Sequence, residues 1–308
     1  MNMRSKSIDT IGVPTPGTQL GYSRAIGFAL LCALPLALAW DSMRAVAELL
    51  TGDSTFSQAP LIPVVSGFLI YLDRRAIFSK VSFGWIPGTA LIVPGMIAVA
   101  AARFDVGGLG AANQFALLVF GIMLGWAGAF IFCFGAAAMK AAAFPLGFLI
   151  LAVPIPEPLL SKIIFLLQEG SADVAEWFFK LGGIPYLRQG FVFALPGFTI
   201  QVADECSGIR SSLALIVTTI LASHLFLKTT WRRVVLCAVV VPLSIFKNGL
   251  RIMTLSTLAI YVNPEYLYGN LHRRGGVVFF AIALVPLVVL LAFLQRGEKI
   301  PPATVKSA

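Results

Sequence analysis

The residue best suited to covalent chemistry is one of four cysteines. Cys206 lies in the polar string Asp204–Ser212, whereas the other three each lie within an apolar run and are expected to be small buried hydrophobes: Cys32, Cys133 and Cys237. If a helix begins just after Cys206, its free N–H groups would lower the thiol pKa, and Arg210 would add a cation on the same face. The neighbouring acids Asp204 and Glu205 oppose this shift. A reactive thiol and a structural boundary cysteine are both open at this point.

Two other polar positions carry groups that could act with a thiol. Lys247, Asn248 and Arg251 interrupt an apolar stretch, where ionisable groups are costly and usually face a partner or a polar cavity. Snorkelling or pairing with an acid is the alternative for both cations, and it weighs more for Lys247. His272 precedes two arginines, which would favour its neutral, basic imidazole, although a solvated loop histidine is the alternative. A thiol, an imidazole and a fixed cation are the groups that acyl transfer through a thioester needs.

The elements that position these residues are expected to be membrane-spanning helices. The chain of 308 residues is 58% hydrophobic and 12% charged, against about 25% charged in a soluble domain. A span needs about 20 apolar residues. The sequence therefore predicts an all-α polytopic membrane protein with about eight spans, of which the second and fifth are short and the seventh is interrupted by polar residues: Ala25–Trp40, Gln58–Leu72, Gly84–Ala102, Ala112–Gly135, Ala141–Val153, Ile209–Leu227, Val234–Val262 and Gly276–Leu294.

Charge predicts the orientation of these spans. With the N-terminus inside, more than half of the lysines and arginines fall inside, and the acids on that side are only Asp9, Asp73 and Glu298. This arrangement predicts a multi-pass protein of the cytoplasmic membrane, with cytoplasmic tails at 1–23 and 297–308 and a membrane domain at 24–296. The net charge of +9 is then explained by topology and anionic lipid, and no nucleic-acid partner is expected. Cleavage after Ala37-Leu38-Ala39 is a weaker alternative to an uncleaved first span.

The largest segment outside the membrane is predicted at residues 154–205, on the outer side. Residues 158–181 have the periodicity of an amphipathic helix, which is expected to lie flat in the interface. Residues 190–203 alternate around Pro196-Gly197, which predicts a short β-hairpin leading to Cys206. Under this topology Cys206, Arg251 and His272 all fall near the outer surface.

The same residues carry a resemblance to a known family. The string Glu205–Ser212, the segment Asn248–Ile252 and His272 with its following glycines resemble the exosortase/archaeosortase family of membrane-embedded, transpeptidase-like enzymes. Phe144–Pro156 and Gly190–Val202 also resemble that family, so the similarity extends from about residue 25 to 295. Cys-Ser-Gly-Ile-Arg alone is a moderate signal, and the spaced Asn-x-x-Arg and His strengthen it.

The resemblance implies a role for each matched residue. Cys206 would be the nucleophile, Arg251 would stabilise the oxyanion or orient the scissile carbonyl, and His272 would be the general base and acid. Three residues would shape the site: Ser207, Gly208 and Asn248. Substrates would be secreted proteins with a C-terminal sorting tail, made of a signature, a membrane helix and a basic cluster. They would be cut at the outer face and transferred to an acceptor that the sequence does not identify, with no metal or organic cofactor.

Some alternatives to this interpretation stay open in the sequence. Arg210 could supply the positive charge in place of Arg251, or could contact lipid phosphate. A serine rhomboid-type protease or a lipid phosphatase would need a membrane Ser or His constellation, and His224 and His272 are predicted on opposite sides. A non-enzymatic transporter or scaffold for envelope polysaccharide assembly is the other class, and it would tolerate Cys206→Ala.

Overall fold

Long apolar helices make up most of the computed structural model, which describes residues 16–50, 59–104, 106–202, 209–267 and 276–298. They belong to two units. The first contains six helices, followed by a 3-10 turn at Leu149–Ala152. These helices are α1 (Pro16–Leu50), α2 (Leu61–Leu72), α3 (Arg74–Ile77), α4 (Trp85–Arg103), α5 (Ala111–Ala141) and α6 (Ala143–Phe148).

The second unit contains four helices and a small sheet, with a 3-10 turn at Pro264–Leu267. The elements are α7 (Glu157–Leu181), β1 (Leu187–Gln189), β2 (Val192–Leu195), β3 (Phe198–Gln201), α8 (Ile209–Phe226), α9 (Thr230–Tyr261) and α10 (Gly276–Arg296). Cys206, Ser207, Gly208 and His272 lie outside the described residues.

Six helices in the described part of the chain are long and apolar enough to cross a membrane, which makes this an all-α polytopic membrane protein. They are α1, α4, α5, α8, α9 and α10, and the count becomes seven if Ala143–Ala152 and Glu157–Leu181 form one interrupted span. The prediction of about eight is higher because two predicted spans are short helices. The 12 residues of α2 extend about 18 Å, well below the hydrocarbon thickness of about 30 Å. Helix α9 continues through Lys247–Arg251, so the polar residues do not break the helix of the seventh span.

In the first unit, α4 and α5 pack closely as an antiparallel pair. A methyl group at Gly88 would lie 2.6 Å from Phe132 Cβ, and one at Gly95 would lie 2.8 Å from the backbone nitrogen of Gly125. These contacts leave no room for larger residues. Glycines therefore bring the two backbones together, as in many membrane helix pairs.

In the second unit, α8, α9 and α10 form a bundle whose helix directions follow from side-chain contacts. Cys237 lies 3.9 Å from Ser223, near the end of α8 and the beginning of α9. Arg232 donates to the carbonyl of Leu294 at 2.9 Å, and Gln295 donates to that of Phe226 at 3.4 Å. Helices α8 and α10 thus run in the same direction, and α9 runs opposite to both.

Helix α7 packs lengthwise against α9 rather than standing alone. A methyl group at Gly170 would lie 2.9 Å from Ile245, and one at Gly249 would lie 2.5 Å from Val174. The contacts advance together along both helices, so α7 and α9 run in the same direction. A helix that lies flat in the interface would cross a spanning helix and would not follow it lengthwise. The prediction of a flat interfacial helix therefore does not explain this packing.

The buried face of α7 differs from its apolar face in the sequence. Large apolar residues such as Leu159, Leu166 and Trp177 are exposed, while the buried face is formed mostly by small or polar residues: Gln168, Ser171, Ala172 and Ala175. Apolar periodicity therefore identified the helix but not the face that contacts protein. In lipid, apolar side chains gain little by leaving the helix surface, so membrane helices associate through close packing at small residues.

A three-stranded antiparallel sheet covers α7. Strands β2 and β3 pair with Leu195 opposite Phe198 around Pro196-Gly197, at the predicted hairpin, and β1 adds a strand that the sequence pattern did not indicate. Phe179 of α7 and Phe193 of β2 are fully buried, with ring centroids 5.4 Å apart. The sheet also packs against Ile252 and Met253 of α9, so it lies at the Tyr261 end of that helix.

Candidate active site

The segment that contains Cys206 is anchored on both sides by described residues. Before it, Val202 is buried, its N–H donates to Phe191 O at 2.9 Å, and its carbonyl accepts from Gln168 Nε2 at 2.9 Å. After it, Ile209 is buried and begins α8. The described part of α8 therefore starts at Ile209, which is the first residue of the predicted sixth span and lies three positions after the cysteine.

The polar segment of α9 is largely buried in protein. Lys247 and Asn248 are 2% and 1% exposed, and Arg251 is half-buried. Gly249 faces Val174 of α7, as the close approach described above requires. Lys247 and Arg251 are four residues apart and lie on one face of the helix. Burial of this segment agrees with the expectation that ionisable groups in a span face the protein interior.

A contact between α8 and α9 joins the two sequence motifs. Lys247 Nζ donates to Ser211 Oγ at 2.5 Å, and Ser211 lies five residues after Cys206. Arg210, next to Ser211, is exposed. The first turn of α8 and the polar segment of α9 therefore lie side by side.

The beginning of α10 lies at this same end of the bundle. Because α8 and α10 run in the same direction, Ile209 and Gly276 begin their helices at one end, and the Tyr261 end of α9 is there too. His272 stands four residues before Gly276 in the sequence. The helix starts that follow Cys206 and His272 in the sequence thus lie at one end of the bundle, together with the half of α9 that contains Arg251, although Cys206 and His272 themselves are outside the described residues.

Sequence reasoning missed the pairing of Lys247 with Ser211. The sequence favours a snorkelling or ion-pairing role for Lys247, and Ser211 is only part of the string that resembles the family. The available signal was the spacing of Lys247 four residues before Arg251, which places both cations on one face. In the part of the chain that the structure describes, no three His, Cys, Asp or Glu side chains are grouped as metal ligands would be.

The other charged cluster near the sheet has a structural role. Arg188 Nη1 of β1 donates to Asp173 Oδ1 at 2.8 Å and to Glu176 Oε2 at 2.6 Å, both on α7. Tyr186 also donates to Glu176 at 2.9 Å. These bonds fix β1 on α7, and through the sheet they fix Val202, four residues before Cys206.

Comparison with known proteins identifies the family. The sequence matches the family model described as transmembrane exosortase (Exosortase_EpsH) over residues 40–289, which is most of the chain. No curated protein and no solved structure matches the chain. The matched range includes α4–α9, the Cys206 segment and the polar segment of α9. The chain therefore belongs to the transmembrane exosortase family, whose members are membrane protein-sorting transpeptidases in general.

Proposed function

We propose that the protein is a cysteine transpeptidase that cleaves the C-terminal sorting tails of secreted proteins at the outer face of the cytoplasmic membrane. Cys206 is the nucleophile, Arg251 stabilises the oxyanion and His272 transfers protons. Ser207, Gly208 and Asn248 shape the site, and Arg210 is the exposed cation at its edge. Both termini are cytoplasmic in this proposal, because the positive-inside rule favours that orientation.

The observation that carries this proposal is the arrangement of two helix beginnings and one half of α9 in the second unit. The beginnings of α8 and α10 and the outer half of α9 occupy one end of the bundle, and the Lys247–Ser211 bond fixes α8 against α9 there. Membrane topology alone predicts that Cys206, Arg251 and His272 lie near one surface, and this arrangement of the helices supports that prediction. Arg251 is half-buried in a spanning helix, where a cation acts more strongly than in water.

The chemistry follows from the three side chains. His272 takes the Cys206 proton, and the thiolate attacks the scissile carbonyl to give a tetrahedral oxyanion beside Arg251. The C–N bond then breaks, His272 returns its proton to the leaving amine, and a thioester remains on Cys206. A nucleophile of the acceptor attacks the thioester carbonyl, its proton passes through His272 to the departing sulfur, and the free thiol is restored.

The membrane location explains how the substrate arrives. A sorting tail contains its own membrane helix, which can approach the spans laterally and present its signature at the outer surface. Membrane lipids therefore form part of the path, and the membrane confines both enzyme and tail to one plane. The acceptor is an envelope molecule in this proposal.

The test uses a secreted reporter that carries a signature, membrane helix and basic tail taken from a protein of the same organism. Cys206→Ala, Arg251→Ala and His272→Ala should each leave the reporter at full length, with the enzyme at normal abundance in the membrane. Cys237→Ala is the matched control, because Cys237 is a half-buried thiol in α9 at the other end of the bundle, and it should process normally. Normal processing by Cys206→Ala would overturn the mechanism and favour the scaffold alternative.

A further inference from the structure

Lys247 is a buried cation whose presence the proposed catalytic roles do not explain. Its side chain is 2% exposed in the middle of a spanning helix. Within the described residues its ammonium contacts the Ser211 hydroxyl, and none of the described ion pairs includes it. A hydroxyl is neutral and replaces only part of the hydration that a buried ammonium loses.

A second cation on the same face makes this burial more costly. Arg251 lies one turn away on α9, and like charges at this spacing repel each other. Ionisable groups inside a span usually pair with another group or face a polar cavity, so two cations on one face mark a place suited to negative charge. The hydrogen bond to Ser211 directs the ammonium of Lys247 to the first turn of α8, which the Cys206 segment immediately precedes.

We infer that Lys247 is a positioning residue that holds the beginning of α8 through Ser211 and provides a buried positive charge for the anionic forms of the site. This inference rests on the proposed function, because the anions it concerns are the Cys206 thiolate and the tetrahedral oxyanion. In this role Lys247 acts through Ser211 and through its charge, and it forms no bond to the substrate. It stabilises the thiolate by charge and fixes the helix turn that follows the thiol.

Charge and hydrogen bonding make separable contributions, and substitutions at one position distinguish them. Lys247→Met removes both, Lys247→Gln keeps a donor without the charge, and Lys247→Arg keeps the charge. Ser211→Ala removes the acceptor alone. The matched control is Ser256→Ala, a fully buried serine of α9 that bonds only to the carbonyl of Ile252 in its own helix.

The experiment measures the iodoacetamide reaction of Cys206 against pH in the full chain, with Cys32, Cys133 and Cys237 replaced by alanine. Lys247→Met and Lys247→Gln should raise the midpoint of the profile by about one pH unit, because they remove the nearby positive charge. Lys247→Arg should restore most of this shift, and Ser256→Ala should leave it unchanged. A midpoint in Lys247→Met equal to that of the parent chain would overturn the inference.

Processing of the tailed reporter provides a second readout. Lys247→Met should lower kcat about tenfold and change KM less than twofold, because it acts on charged states of the reaction. Ser211→Ala should lower kcat less, and the double variant should be no worse than Lys247→Met, because the two residues act together.

The failures of the two proposals are distinguishable. Full processing by Lys247→Met, with an inactive Cys206→Ala, would overturn this inference and leave the proposed function standing. An active Cys206→Ala chain that loses activity on Ser211→Ala would overturn both proposals, because Ser211 with Lys247 would then be the nucleophilic pair.

Discussion

Two helix pairs use glycine in the same way but bury different chemistry. In the first unit α4 and α5 approach through Gly88, Gly95 and Gly128, and in the second α7 and α9 approach through Gly170 and Gly249. In α4 and α5 the buried residues are glycines and apolar side chains. In α7 and α9 they include Gln168, Ser171, Ser244, Lys247 and Asn248.

The contrast holds for the two units as wholes. Ser66 is the buried polar residue of the first unit among the described residues, and its hydroxyl is satisfied by the Pro145 carbonyl at 2.7 Å. The other buried polar residues belong to the second unit: Gln168, Ser171, Ser212, Thr219, Ser223, Ser244, Lys247, Asn248 and Ser256. Close packing therefore occurs in both units, whereas most of the described buried polar residues belong to the unit that carries the candidate site.

The largest effect is expected from Gly88→Ala in the first unit. The new methyl group would lie 2.7 Å from both the nitrogen and Cα of Phe132, so α4 and α5 would have to separate. Overpacking of this kind costs about 3 kcal/mol, so the amount of folded protein should fall strongly. The measurement is size-exclusion chromatography of the protein after its extraction from membranes. Gly67→Ala is the control, because no atom lies within 4 Å of its added methyl group. Equal yields of the two variants would show that this contact does not hold the pair together.

A smaller effect is expected from Gly249→Ala in the second unit. The methyl group would meet the Val174 side chain, with Cγ1 at 2.5 Å and Cβ at 2.7 Å, while the nearest α7 backbone atom is 3.2 Å away. A side chain yields more easily than a backbone, so the expected cost is about 1–2 kcal/mol in thermal unfolding. Processing should fall more than folding, because the shift displaces Asn248 and Arg251. Adding Val174→Ala to the Gly249→Ala chain should partly restore both thermal stability and processing. If it restores neither, the clash with Val174 is not the cause of the losses.

The sequence predicted most elements of the fold, but not how they pack. Apolar run length located the six long spans, and alternation around Pro196-Gly197 located β2 and β3. The predicted spans at 58–72 and 141–153 correspond to short helices, of which the second belongs to a span only if Ala143–Ala152 and Glu157–Leu181 form one. Polar residues near Lys247 leave a kink or a break of the seventh span open in the sequence, and the helix continues through them because they are buried in protein.

The candidate site was predictable only as far as its motifs. The helix start at Ile209 and the burial of Asn248 follow from local patterns and the cost of polar groups in a span. Ser211 and Lys247 are 36 residues apart in the sequence, and their hydrogen bond depends on the antiparallel packing of α8 and α9. No local sequence pattern specifies this packing. The roles of Cys206 and His272 remain predictions from the sequence.

Serine-to-alanine changes compare the two kinds of buried polar group directly. Ser66→Ala removes a hydrogen bond and leaves the Pro145 carbonyl without it, so a loss of about 1 kcal/mol is expected in thermal unfolding. Ser244 Oγ on α9 is buried with no hydrogen-bond partner among the described residues, so Ser244→Ala should leave Tm unchanged or raise it. Processing should be normal in Ser66→Ala. A clear fall in Tm for Ser244→Ala would show that the Ser244 hydroxyl stabilises the second unit, contrary to this expectation.

The smallest effect concerns the end of the bundle opposite the candidate site. Glu298 Oε1 accepts from the backbone N–H groups of Thr229 and Lys228 at 2.9 and 2.7 Å, where α9 begins. These bonds, the one from Thr229 above all, hold the pKa of Glu298 below the usual carboxyl value of about 4.3. A lowered folded-state pKa means that the carboxylate stabilises the fold above the unfolded pKa, and that this stabilisation is lost as the pH falls below about 4. Glu298→Gln should therefore lower Tm slightly at pH 7 and by less at pH 3, measured in detergent at both values. An equal difference at both pH values would show that the charge of Glu298 does not stabilise the beginning of α9.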